Sequence, residues 1–66
     1  MPVLSGADLV KALARLGFEE VSQKGSHRKM RHPDGRLAIV PMHRELAAGT
    51  LRGILRLARV TVDQLG

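Results

Sequence analysis

Lys24-Gly25-Ser26-His27-Arg28-Lys29-Met30-Arg31-His32-Pro33-Asp34-Gly35 decides the fold. Two turn signals bracket one short run. Lys24-Gly25 suits a tight hairpin turn, with glycine supplying a positive φ. His32-Pro33-Asp34-Gly35 is a second turn, with proline pre-set for position i+1 and Asp and Gly following. The residues between, Ser26 to His32, must then be a strand that enters from one hairpin and leaves by another. Period-two alternation puts His27, Lys29 and Arg31 on one face and Ser26, Arg28, Met30 and His32 on the other. Met30 is the only large apolar side chain of the run, so its face turns toward a core and the His27 face turns outward. A bulge would break this register.

Outward from this run, Phe18 to Gln23 reads as the preceding strand, with Phe18 and Val21 as inward anchors. Leu37-Ala38-Ile39-Val40 reads as the following one, apolar enough to be central and ended by Pro41. Upstream, Ser5-Gly6-Ala7-Asp8 resembles a capping box with Asp in place of the usual Glu or Gln. Leu9, Val10, Leu13 and Leu16 share a helical stripe, and Gly17 fits the stop, so a helix is expected from Gly6 to Leu16. Downstream, Met42 to Ala48 connects to a second helix beginning near Gly49 or Thr50, with Leu51, Ile54, Leu55 and Ala58 as its core stripe. Arg52, Arg56 and Arg59 form a separate ridge, whose ordinary meaning is a solvated face. Thr61-Val62-Asp63-Gln64 suggests one last turn ending at Leu65. The expected fold class is α+β: one domain spanning residues 1–66 in the order α-β-β-β-α, a three-stranded antiparallel sheet with two helices on one face.

Composition narrows the function. The chain has 66 residues and a net charge of +5. Residues 24–59 hold nine Lys or Arg against Asp34 and Glu45. A localised excess of this kind suits a phosphate-bearing polymer or an acidic protein. A domain of about 60 residues buries only about 60% of its unfolded surface, which leaves no room for an internal cofactor pocket. With no Cys, thiolate metal sites are excluded, and His27, His32 and His43 have no carboxylate cluster to join them. No cofactor and no metal are expected. No signal peptide and no apolar run of membrane-spanning length are read, so a cytoplasmic location is the expectation. With a single aromatic residue, stacking on unpaired bases has little to work with, and recognition of RNA would rest on phosphates and 2′-OH groups.

The residues also match a known family. The Ser5-Gly6 start, Leu9, Leu13, Gly17-Phe18, Gly25-Ser26-His27, His32-Pro33-Asp34-Gly35-Arg36, Val40-Pro41, His43, Glu45-Leu46, Gly49-Thr50-Leu51 and Ile54-Leu55 follow one another in the expected order. On these residues the chain resembles the HicA-type toxins of bacterial and archaeal toxin–antitoxin pairs, which are small mRNA interferases. Arg59 stands where such toxins often carry a glycine. The resemblance implies a fold like the double-stranded RNA-binding domain, a ribosome-independent endoribonuclease activity, and neutralisation by a HicB-type antitoxin protein. It makes His27 the catalytic residue.

The chemistry suits that assignment. RNA carries a nucleophile, the ribose 2′-OH, beside each phosphate, so it can be cut without a metal. The reaction needs a base for the 2′-OH proton, cations around the phosphorane and an acid for the leaving 5′-oxygen. Histidine serves the first or last role because its unperturbed pKa lies near about 6.5. Lys24, Gly25, Ser26, Arg28, Lys29 and Arg31 are the expected RNA-binding residues: cations for the phosphate, close backbone approach at Gly25, a hydroxyl at Ser26. His43 is a possible further site member. His32, before the turn proline, reads as a hydrogen-bonding turn residue. A non-catalytic duplex-RNA-binding module of similar shape is the alternative, and a basic domain that binds an acidic protein is a third reading.

Overall fold

The first helix, α1 (Gly6–Arg15), starts where the polar signal puts it. In this computed structural model, which describes residues 4–66, the Asp8 N–H donates to Ser5 Oγ at 3.0 Å and the Ser5 N–H donates to Asp8 Oδ2 at 3.3 Å. This is the reciprocal capping box, with the shorter Asp reaching back as Glu would. Leu9, Ala12 and Leu13 are buried, Val10 and Leu16 pack against them from the side, and Lys11 is exposed. Helical geometry ends one residue before the expected Leu16. Gly17 then takes φ 101°, and the Phe18 N–H donates to Leu13 O at 3.0 Å while the Gly17 N–H donates to Ala14 O at 3.1 Å. That pair of bonds is a Schellman stop, which satisfies carbonyls the helix would otherwise leave open.

Three strands follow: β1 (Glu19–Lys24), β2 (His27–Arg31) and β3 (Leu37–Pro41). They form one antiparallel sheet in the order β1-β2-β3, so the basic β2 is central and the apolar β3, expected there, takes an edge, its apolar side chains serving the helices packed on it. The first hairpin turns at Gly25-Ser26, one residue later than Lys24-Gly25, since Lys24 already pairs with His27. Gly25 has φ 60° and Ser26 is not left-handed, the pattern of a type II′ turn that matches strand twist. In the second connection the Gly35 N–H donates to His32 O at 2.9 Å and the His32 N–H to Arg36 O at 2.8 Å, with Pro33 at i+1 as expected.

Alternation along β2 and β3 holds. Met30, Ala38 and Val40 are buried, whereas His27, Lys29 and Ile39 are exposed. Val21 departs from expectation: it is 54% exposed and makes no inward anchor. The β1–β2 register shifts between Glu20 and Ser22, so Val21 is the extra residue of a β-bulge and loses its place in the alternation. Phe18, at 2% exposure, carries the inward role alone, just ahead of the strand.

The second helix, α2 (Ala48–Ala58), begins one or two residues before Gly49 or Thr50. Its N-cap, Ala47, makes no side-chain capping bond, so no polar residue marks the start. Leu46 and Leu51, at the spacing of a hydrophobic staple, are both buried and set the entry angle instead. Leu51, Ile54, Leu55 and Ala58 are all buried, as their stripe predicts. A final turn, α3 (Val62–Leu65), has the Thr61 N–H donating to Gln64 Oε1 at 2.8 Å. Arg15 Nη2 donates to Leu65 O at 3.1 Å and ties α3 to α1. Both long helices pack against β3 on the Met30 side of the sheet, and the opposite face stays open.

Arg36 joins the second turn to the end of α2. Its Nε donates to Asp34 Oδ2 at 2.8 Å, its Nη1 donates to Ala58 O at 3.0 Å, and its guanidinium lies 5.2 Å from the Phe18 ring centroid. The His32 ring meets Phe18 edge-on at 5.2 Å. His32 is thus a packed turn residue, as expected. Helix α2 ends with the same bonds as α1: the Val60 N–H donates to Leu55 O at 3.0 Å and the Arg59 N–H to Arg56 O at 3.2 Å. Here the left-handed residue is Arg59, at φ 55°, and a Cβ strains that conformation.

Two predictions come from these contacts. Arg59→Gly relieves the strain and raises unfolding stability by about 1 kcal/mol, read as a higher urea midpoint with unchanged slope. Asp34 is held below its ordinary carboxylate value, first by the Arg36 N–H it accepts; burial opposes this, and the Arg36 side chain and His32 add to the lowering. A depressed folded value stabilises the fold above the unfolded value of about 3.9 and is lost as pH falls through the folded one. Asp34→Asn therefore lowers stability at neutral pH, and its difference from the parent shrinks below about pH 4 in urea titrations run across that range.

Candidate functional site

His27 opens β2 at the first hairpin, paired with Lys24 of β1 on one side and Pro41 of β3 on the other. The next outward-facing row is Ser22, Lys29 and Ile39, and the one beyond is Glu19, Arg31 and Leu37. The open face therefore carries Lys24, His27, Lys29 and Arg31 together, all exposed. Among the described residues the His27 ring makes no hydrogen bond or ion pair, and neither do the Lys24, Lys29 and Arg31 side chains. Their charge is left available to a partner.

Gly25 sits at the tip with open space around it, so a backbone or phosphate can come close. Ser26 is exposed beside it, and its carbonyl accepts the Met42 N–H at 2.6 Å. Arg28 lies elsewhere. It faces the helix side, half-buried, where Nη2 donates to Gln23 Oε1 at 2.9 Å and Nε stands 3.5 Å from Glu20. The long helices pack on β3, every residue of β1 is exposed, and this polar cluster joins β2 to β1 away from them. Among the sequence-selected cations Arg28 alone is already engaged.

His43 is exposed in the connection after β3, two residues beyond the strand partner of His27. Its carbonyl accepts the Gly6 N–H at 2.8 Å. Gly6 is buried, and a Cβ there would run into the Pro41 carbonyl oxygen and come within 2.8 Å of Met42 Cα. The start of α1 is thus seated directly on the end of β3. That end in turn holds the hairpin through Met42, and the hairpin presents His27. Sequence reading places Met42 in a connection and Gly6 in a helix start. Their part here comes from backbone contacts between segments distant in sequence, Met42 with Ser26 and Gly6 with Pro41 to His43, for which no local signal exists.

Fold and site together define a class: a small α-β-β-β-α domain with one packed sheet face and one open, cationic face bearing an exposed histidine at a hairpin tip. The family described as the HicA toxin of bacterial toxin–antitoxin systems matches residues 6–60, from the first residue of α1 to the Schellman stop of α2, and the chain belongs to that family. An antitoxin partner follows from membership. No curated protein matches the chain. No helix among the described residues is long and apolar enough to cross a membrane.

The seating of Gly6 gives a prediction. Gly6→Ala forces α1 away from β3 and costs about 1–3 kcal/mol, read as a lower denaturation midpoint. Amide shifts at Ser26 and His27 move with it, although both lie in another part of the sequence.

Proposed function

We propose that the protein is an mRNA interferase toxin, a metal-independent endoribonuclease neutralised by a HicB-type antitoxin. The observation that supports this best is the unengaged His27 ring at the edge of an open face with Lys24, Lys29 and Arg31. Family membership supports the toxin role.

In this reading RNA lies along the open face with a phosphate at the hairpin tip. The 2′-OH attacks the adjacent phosphorus and the bond to the 5′-oxygen breaks, leaving a cyclic phosphate and a free 5′-hydroxyl. His27 takes the 2′-OH proton or supplies the proton to the leaving oxygen. His43 is the possible second member of this pair. Lys24 and Lys29 stabilise charge that builds on the phosphorane. Gly25 and Ser26 let the backbone approach and offer a hydroxyl. Arg28 supports the hairpin through Gln23 and joins the RNA only by giving up that bond. The antitoxin covers the same face with acidic side chains.

His27→Ala tests the reading. Cleavage of RNA with EDTA present is expected to fall by about 10²–10⁴-fold, with RNA affinity and circular dichroism unchanged, while DNA of the same sequence is spared by both proteins because it lacks the 2′-OH. Undiminished cleavage by the variant would overturn the role of His27. RNA binding without product by the parent protein across the histidine titration range would favour the duplex-RNA-binding module instead.

A further inference from the structure

At the end of the sheet away from the hairpin tip, Glu19, Glu20, Val21, Arg31, His32 and Pro33 line a shallow depression of about 440 Å³. Arg31 lies four residues along β2 from His27, a run of about 13 Å at strand spacing. Arg31 belongs both to the depression and to the cationic face, but the depression has a different character. Glu19 and Arg31 are cross-strand partners, yet they form no ion pair, and the Glu19 carboxylate has no other partner among the described residues. Glu20, by contrast, faces Arg28. The bulge leaves Val21 54% exposed, and Pro33, also exposed, lines the same depression.

A free carboxylate repels phosphate, so the backbone is not what this end of the face would hold. Its two oxygens accept, and they match a group with two adjacent donors. Among the four bases only guanine has such a pair on its Watson–Crick edge, N1–H and the N2 amine, with the O6 acceptor beside them. Adenine and cytosine set one donor group against an acceptor, and uracil has one donor between two acceptors. The Arg31 guanidinium supplies donors for O6. Reading of that edge in unpaired bases is the general mode of sequence-specific RNA recognition.

Resting on the endoribonuclease reading above, we infer that Glu19 and Arg31 form a guanine-selective subsite for an unpaired base, with Val21 and Pro33 against its ring. Arg31 then contacts a base edge, and Lys24 and Lys29 remain for the phosphate at His27. The guanine read here is at a fixed offset from the cut bond, since the depression and His27 are at opposite ends of β2.

Cutting a pool of RNAs of random sequence and sequencing the ends tests this. The parent protein is expected to show guanine enriched about tenfold at one fixed position near the cut, the discrimination of a good bidentate pair. Glu19→Gln, which replaces one acceptor oxygen by a donor, is expected to lose that enrichment, with cleavage at guanine-bearing sites falling about tenfold to the level of the other sites. Glu20→Gln is expected to keep it. Absence of a guanine position in the parent, or its survival in Glu19→Gln, would overturn the subsite. If the parent cuts nothing, the enzymatic reading fails, and titration with GMP, AMP, CMP and UMP decides the subsite separately. Amide shifts at Glu19, Val21 and Arg31 saturating about tenfold earlier with GMP would support it, and equal or absent responses to the four would sink it.

Discussion

Burial of Met30 is the constraint on which the molecule depends. β2 is the middle strand, paired on both sides, and it carries one large apolar side chain among basic ones. A strand alternates strictly, so sending Met30 inward sends His27, Lys29 and Arg31 outward in the same act. A slip of one residue would expose the methionine and bury three basic or titratable groups, which no core this thin could hold. Apolar area stabilises the correct register, and the functional face is its by-product. One thioether thus determines both which way the protein folds and which way it presents its charge.

The site inherits its rigidity from this arrangement. His27 is a strand residue rather than a loop residue, flanked by paired strands and braced from below by the seat of α1 on Pro41. Side chains held on regular elements keep their geometry better than those on loops. The hairpin tip is left open only at Gly25 and Ser26, where close approach by a ligand needs room. Arg36 does the corresponding service at the other end, where one guanidinium ties the second turn, Phe18 and the last carbonyls of α2 together.

Much of this is legible in the amino-acid sequence because the signals are local and chemical. Ser5 and Asp8 mark a helix start, Gly17 marks its stop, Pro33-Asp34-Gly35 marks a turn, and the α2 stripe marks a buried face. What escapes depends on contacts across the chain. Two adjacent glutamates already disturb the pattern of β1, but nothing local says that Val21 is the residue displaced. Ala47 caps α2 without any side-chain signature, so the helix start reads late. The arginine at 59 is seen as unusual, whereas its left-handed backbone is set by how α2 must return to Val60. The outward row of His27, Lys29 and Arg31 follows from periodicity alone, but the place of Lys24 beside His27 and the withdrawal of Arg28 into a bond with Gln23 do not.

The bulge in β1 has one more consequence. Every residue of that strand is exposed, and it lies at the edge of the sheet, where unpaired amides and carbonyls invite another chain to add on. A kink at Val21, with Glu19 and Glu20 before it and Lys24 after it, spoils the flat, uncharged template that such addition requires. Along this rim the protein is thereby poorly suited to zip onto another copy of itself, with no helix needed to shield it.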